Sequence, residues 1–235
     1  MISSRSSAAE ILRHLRSLAD PKAVEGMARY GIVSKKVLGI SVVSLREMAK
    51  KIGRNHGLAQ ELWRTGILDA RFLAAFIEEP GKITEAQMDR WAKDFDNWAI
   101  CDGCSLHLFD RTPFAWKKAL SWTTRKEEFV RRAGFALIAV LAVHDKSAPD
   151  AKFERTFPLI KRAATDDRNG VKKAVNWSLR QIGKRNLGLN ALAISAAQEI
   201  QSVDSASARW IASDALRELK SPAVQTRLNK KHRNR

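Results

Sequence analysis

Between Asp94 and Arg111 the chain reads DFDNWAICDGCSLHLFDR. Asp96 and Asn97 are good helix openers, and the pattern after them predicts a helix from Trp98 to Phe109. At about 100° per residue, Trp98, Asp102, Ser105 and Phe109 share one face of that helix. Ile100, Cys101, Cys104 and Leu108 form the other face, an ordinary core face. The first face sets a carboxylate one turn from an indole in a strongly basic chain. Such an acid either serves the structure or serves a positive charge on something bound.

A second constellation lies in the predicted helix Arg168 to Lys184. Val171, Ala174, Val175, Ser178, Leu179 and Ile182 face inward, while Lys173, Trp177, Arg180 and Lys184 stack on the far side. Trp177 thus reads either as a helix–helix seam residue under Lys and Arg stems, or as an aromatic in a basic stripe suited to phosphate and sugar contact. Arg132 shares a face with Ala136 and Ala139. It reads as a solvated Arg, or as one with room for a nucleic-acid backbone to approach. Cys101 and Cys104 form a C-x-x-C with no second pair, and His107 would be only a third zinc ligand. On the apolar face the two thiols read as small core hydrophobes. His14, His56, His144 and His232 show no mutual spacing. The sequence holds no P-loop, no G-x-G-x-x-G after a strand and no nucleophile elbow.

The elements that must position these residues are nearly all helical. The chain has 235 residues, a net charge of +17 and a single Tyr, with abundant Ala and Leu and few β-type alternations. The charge points to a polyanionic partner, most simply nucleic acid. No long apolar span is present, and residues 1–7 lack the apolar core of a signal peptide. Two Cys without a framework fit a reducing compartment. Capping signals are read at Ser41, at Thr84 with Gln87, at Thr112-Pro113 and at Thr124 with Glu127. A faint repeat aligns Val130-Arg131-Arg132-Ala133 with Val171-Lys172-Lys173-Ala174, 41 residues on. Leu179-Arg180-Gln181-Ile182 likewise aligns with Leu216-Arg217-Glu218-Leu219, 37 residues on. Helix pairs at that period predict an all-α, curved superhelical stack of HEAT-like units, an α-solenoid with a basic concave face. The absence of a Pro-, Gly- or Ser-rich linker predicts one domain over residues 1–226 and a frayed basic tail from 227 to 235.

These residues together resemble the AlkD-type DNA alkylation repair glycosylases, a family built from HEAT-like repeats. The matching phrases are MARYG with Tyr30, LGISVVSLR with Arg46, NWAICD with Trp98 and Asp102, VRRAG with Arg132, and KKAVNWSLRQ with Trp177 and Arg180. They span about residues 27 to 185, in order. The resemblance implies that Trp98 and Asp102 face a damaged nucleotide, that Trp177 completes an aromatic cleft, and that Arg132 grips the DNA backbone. Tyr30, Arg46, Lys173, Arg180 and Lys184 complete the expected DNA contacts. The chain departs from the family at Ser41 and Val42, where relatives carry polar backbone-contacting side chains, and at Asn97, where they carry another aromatic. The Cys pair is also outside the pattern.

The resemblance therefore implies a monofunctional DNA N-glycosylase for cationic alkylpurines such as 3-methyladenine and 7-methylguanine. An alkylated purine already carries positive charge and needs no general acid. What remains is to stabilise the oxocarbenium-like sugar, and an ionised Asp beside aromatic π faces suits that task. No Lys in the matched set stands as an amine nucleophile. The alternative is a non-catalytic HEAT-repeat protein that binds damaged, bent or branched DNA. Either way the expected partner is double-stranded DNA. No metal, cofactor or membrane is expected, and the protein is expected to act as a monomer in a bacterial-type cytosol.

Overall fold

A computed structural model describes residues 2–233. Every regular element among the described residues is a helix, and no strand occurs. Two compact units, Met1–Phe114 and Ala115–Arg235, share the span that the sequence reading gave to one domain. None of the described helices is long and apolar enough to cross a membrane.

In the first unit the helices are α1 (Ala8–Ser17), α2 (Pro21–Arg29), α3 (Val42–Ile52), α4 (His56–Arg64), α5 (Leu68–Ile77), α6 (Glu85–Lys93) and α7 (Trp98–His107), followed by a 3-10 turn over Phe109–Arg111. Their starts are written locally. Asp20, Ser41, Asn55, Thr84 and Asn97 each accept a backbone N–H with the side chain at the N-cap, and Pro21 opens α2. Helix α5 is apolar nearly all round because it is central, packing on α3, α4 and α7. Gly103 is where α7 meets it. A Cβ there would lie 2.5 Å from the Phe72 ring, so only glycine lets the two helices close at the turn that carries Asp102.

In the second unit the helices are α8 (Ala115–Trp122), α9 (Glu128–His144), α10 (Asp150–Glu154), α11 (Phe157–Ala163), α12 (Asn169–Gly183), α13 (Leu187–Gln201), α14 (Ala206–Leu219) and α15 (Pro222–Arg233). They pair as α8 with α9, α11 with α12 and α13 with α14, and α12 packs on both α9 and α14. The faint sequence repeat is thus the recurrence of one helix type. Three side-chain bonds tie successive copies at a constant separation: Arg132 to Gly170 O, Asn176 to Asp214 and Arg180 to Glu218, each spanning 38 residues. Gly134 lets α9 lie against α8, since a Cβ there would meet Thr123 N at 2.6 Å.

Three local expectations are corrected. Thr112 does not cap a helix at Pro113. Its hydroxyl donates back to Phe109 O at 2.8 Å to close the 3-10 turn, and α8 begins only at Ala115. Thr124 does not open the long apolar helix either. Its hydroxyl donates to Ser121 O, and the N-cap is Glu127, whose side chain pairs with Arg125 rather than capping the helix. The basic tail is not frayed over residues 227 to 233. Helix α15 runs on to Arg233 because Val224 and Leu228 are buried, while residues 234–235 of that tail lie outside the described residues.

Candidate nucleic-acid interface

The candidate face begins at the first residue of α7. Asn97 is buried and caps the helix, accepting from Ala99 N at 3.0 Å and Ile100 N at 3.3 Å. This explains the departure at Asn97: the position is spent on the cap. Trp98 then stands 37% exposed, and its indole N–H donates to Tyr30 O at 2.9 Å. Ser34 adds a second tie, its hydroxyl donating to Asp96 at 2.7 Å. The chain after α2 is therefore pinned to the start of α7, with the Tyr30 ring 79% exposed beside it. Asp102 is half-buried one turn below Trp98. The two side chains sit at the i, i+4 spacing that brings Cβ atoms to about 6 Å.

The rest of the expected face is not presented. Ser105 and Phe109 are fully buried, and the Ser105 hydroxyl donates to Cys101 O at 2.9 Å. Helix α7 ends at His107, not at Phe109, so Phe109 turns inward with the 3-10 turn, whereas Ser105 is covered because the core takes a wider sector of α7 than the helical wheel assigned to it. Cys101 and Cys104 are buried, as the apolar reading expected, and burial pushes the Cys104 thiol well up. Among the described residues no group of three His, Cys, Asp or Glu could hold a metal.

Arg46, exposed on α3, lies 2.8 Å from Nε2 of His107 and 5.7 Å from the centre of the Phe76 ring. Guanidinium has no acceptor, so Arg46 donates and the imidazole accepts. His107 meets Phe76 edge-on at 5.2 Å. This contact, across 61 residues, was invisible to motif reading.

In the second unit the basic stripe of α12 is largely spent on the protein itself. Arg180 pairs with Glu218 of α14 and lies 3.6 Å from Asp214, and Lys184 Nζ lies 2.5 Å from Glu218. Burial alone would raise the Glu218 carboxyl, but the Lys184 hydrogen bond and the two cations hold it below the ordinary range. Trp177 is half-buried and Lys173 exposed. Arg132 is 6% exposed, not solvated, and donates to Gly170 O at 2.6 Å where α12 begins. Helix α9 is buried all round, so its small-residue strip receives neighbouring helices. Sequence reasoning also missed Trp210, 41% exposed on α14 with the Lys172 ammonium 5.3 Å from its ring centre. Its position off the Ala208, Ile211, Ala212, Ala215, Leu219 core face was the available signal.

A family model described as DNA alkylation repair enzyme matches residues 11–219. The chain is 21% identical over 193 residues to the uncharacterized protein Lin0241 of Listeria innocua, covering 80% of this chain and 84% of that one. It is also similar to a solved structure described as a new family of proteins related to the HEAT-like repeat DNA glycosylases with affinity for branched DNA structures. That match has a TM-score of 0.77 at 20% identity and covers 95% of this chain and 96% of the other. The fold is thus of the HEAT-like repeat kind.

Proposed function

The chain belongs to the DNA alkylation repair enzyme family, and on that premise we propose that it is a monofunctional N-glycosylase. Its substrates would be cationic alkylpurines in duplex DNA. The observation that carries this reading is the Trp98–Asp102 pair: an indole locked by Tyr30 O, with a half-buried carboxylate one turn on.

The chemistry asks little of the protein beyond electrostatics. A 3- or 7-alkylated purine leaves as a neutral base, so no proton need be donated to it. Positive charge then grows on the sugar. Asp102 opposes that charge and orients the attacking water, while the Trp98 ring offers a π face and excludes bulk solvent. The fixed indole matters because the electrostatic gain depends on groups that do not reorganise as the bond breaks. Trp177, which the resemblance assigns to the same cleft, is half-buried on α12 of the second unit. Of the expected DNA contacts, Lys173, Tyr30 and Arg46 keep side chains at the surface, and Arg132, Arg180 and Lys184 act through the helices they brace. The protein is read as a monomer working on cytosolic DNA.

A second reading has its own support. The similar solved structure is described as having affinity for branched DNA, and much of the α12 charge is internally compensated here. On that reading the chain binds distorted duplex without turnover. Single-turnover release of 7-methylguanine from methylated duplex separates the two. Release by wild type, lost in Asp102→Asn, is the expected result. No release from any cationic lesion, with duplex binding intact, would establish the binder.

A further inference from the structure

A groove of about 370 Å³ opens on the first unit between α3, the end of α5 and the end of α7 with its 3-10 turn. Arg46, Lys50, Arg54, His107 and Arg111 line it over the Phe76 ring, and no carboxylate does. Glu47, exposed at the rim, pairs with Lys50 at 2.7 Å. Arg54 is fixed by donating to Phe76 O at 3.0 Å and Glu78 O at 2.6 Å, closing the C-terminus of α5. Arg46 is oriented by His107, whose Nε2 lone pair it occupies. Arg111 is exposed at the end of the 3-10 turn.

Arg46, Arg54 and Arg111 repel one another around one concavity, Lys50 being paired with Glu47 at its rim, and an anion among them would relieve that repulsion. The charged lining offers donors only, since Arg and Lys accept nothing and the imidazole acceptor is already used. A phosphodiester presents acceptors alone and carries the negative charge that a lining of cationic donors matches. The groove is set apart from the Trp98–Asp102 face. Trp98 and His107 are the first and last residues of α7, about 13 Å apart along its axis at 1.5 Å per residue and, at about 100° per residue, on opposite sides of it.

We propose that this groove is a backbone-phosphate site, separate from the Trp98–Asp102 face, which holds a phosphodiester of the bound duplex. Arg46, Lys50 and Arg111 contact the phosphate, and Arg54 and His107 position them. The proposal rests on DNA being the partner, but not on turnover.

The test uses fluorescence anisotropy on a duplex with one tetrahydrofuran abasic site and single methylphosphonate substitutions stepped outward from it. The proteins are wild type and the surface variant Lys50→Ala/Arg111→Ala. The variant should bind about tenfold more weakly at low salt, with the slope of log affinity against log salt reduced by about one to two. One or two methylphosphonate positions should weaken wild type and have no effect on the variant. Wild-type affinity and slope in the variant, or the same methylphosphonate losses in both proteins, would overturn the site. A wild type that releases no base yet shows the position-specific pattern supports the groove and removes only the glycosylase reading. A wild type with no salt-dependent duplex binding removes both.

Discussion

Helices α7 and α12 carry the same kind of sequence signal, a Trp among polar side chains on the face away from the core, and the fold treats them differently. On α7 the anchoring is done by backbone and cap: Asn97 holds the helix start, and Tyr30 O holds the indole N–H. Asp102 is left half-buried beside a partly exposed ring. On α12 the side chains do the anchoring themselves. Arg180 and Lys184 converge on Glu218, Asn176 donates to Asp214 at 2.6 Å, and α12 is bolted to α14. The lesson is that a charged stripe on a repeat helix has two possible customers, the ligand and the next repeat. Only the neighbour's acids tell which one is served.

The contrast breaks first, if it breaks, at the two carboxylates. Asp102→Asn should slow single-turnover base release by about 10² to 10³, or roughly 3–4 kcal/mol, with duplex affinity unchanged. Glu218→Gln should leave that rate within about twofold, because its carboxylate works between helices. Comparable rate losses in both variants would erase the distinction between a reacting acid and a bracing one.

Stability should show the reverse order. Glu218→Ala leaves Lys184 without its acid and Arg180 with only the longer contact to Asp214, both partly buried, and should cost about 2–3 kcal/mol in urea unfolding. Its pH dependence sharpens the point. The folded Glu218 carboxyl lies below its ordinary value of 4.5, so its contribution is present above that pH and is lost as pH falls through the lower folded value. The stability gap between wild type and Glu218→Gln should therefore close on acidification below about pH 4.5. A gap that stayed constant down to pH 3 would show that charge is not what Glu218 supplies.

Smaller effects separate residues the sequence treats as equals. Trp98→Phe keeps the ring face but removes the donor to Tyr30 O. It should cost about 1 kcal/mol in stability and a larger factor in rate than in affinity. Lys173→Ala should weaken duplex binding about threefold at low salt with Tm unchanged, as befits an exposed cation. Arg180→Ala should lower Tm instead, since its charge is met by Glu218. Equal losses of affinity and no loss of Tm in both variants would return α12 to the role its stripe suggested.

What the sequence determined by itself was local or periodic. The helices, the caps at Ser41, Thr84 and Asn97, the repeat that becomes α9, α12 and α14, and the burial of Cys101 and Cys104 all follow from patterns within a few turns of chain. The Trp98-x-x-x-Asp102 pair was legible for the same reason, since i and i+4 share a face in any helix. The errors arose where a residue's partner lies beyond that range. Thr112 and Thr124 bond backward into a preceding turn rather than forward into a helix, a choice open to any hydroxyl until packing fixes the chain direction. Ser105 went inward because the width of a helix's buried sector depends on how closely its neighbours approach, which Gly103 allows here, and Phe109 because α7 stops at His107 and the 3-10 turn redirects the chain. Arg132, Arg180 and Lys184 looked available because Gly170 and Glu218 lie 34 to 38 residues away, and Arg46 looked solitary because His107 lies 61 away. Side-chain charge is written in the sequence, but whether that charge is spent inside the fold or left for a ligand depends on which groups end up within hydrogen-bond distance, and tertiary packing alone decides that.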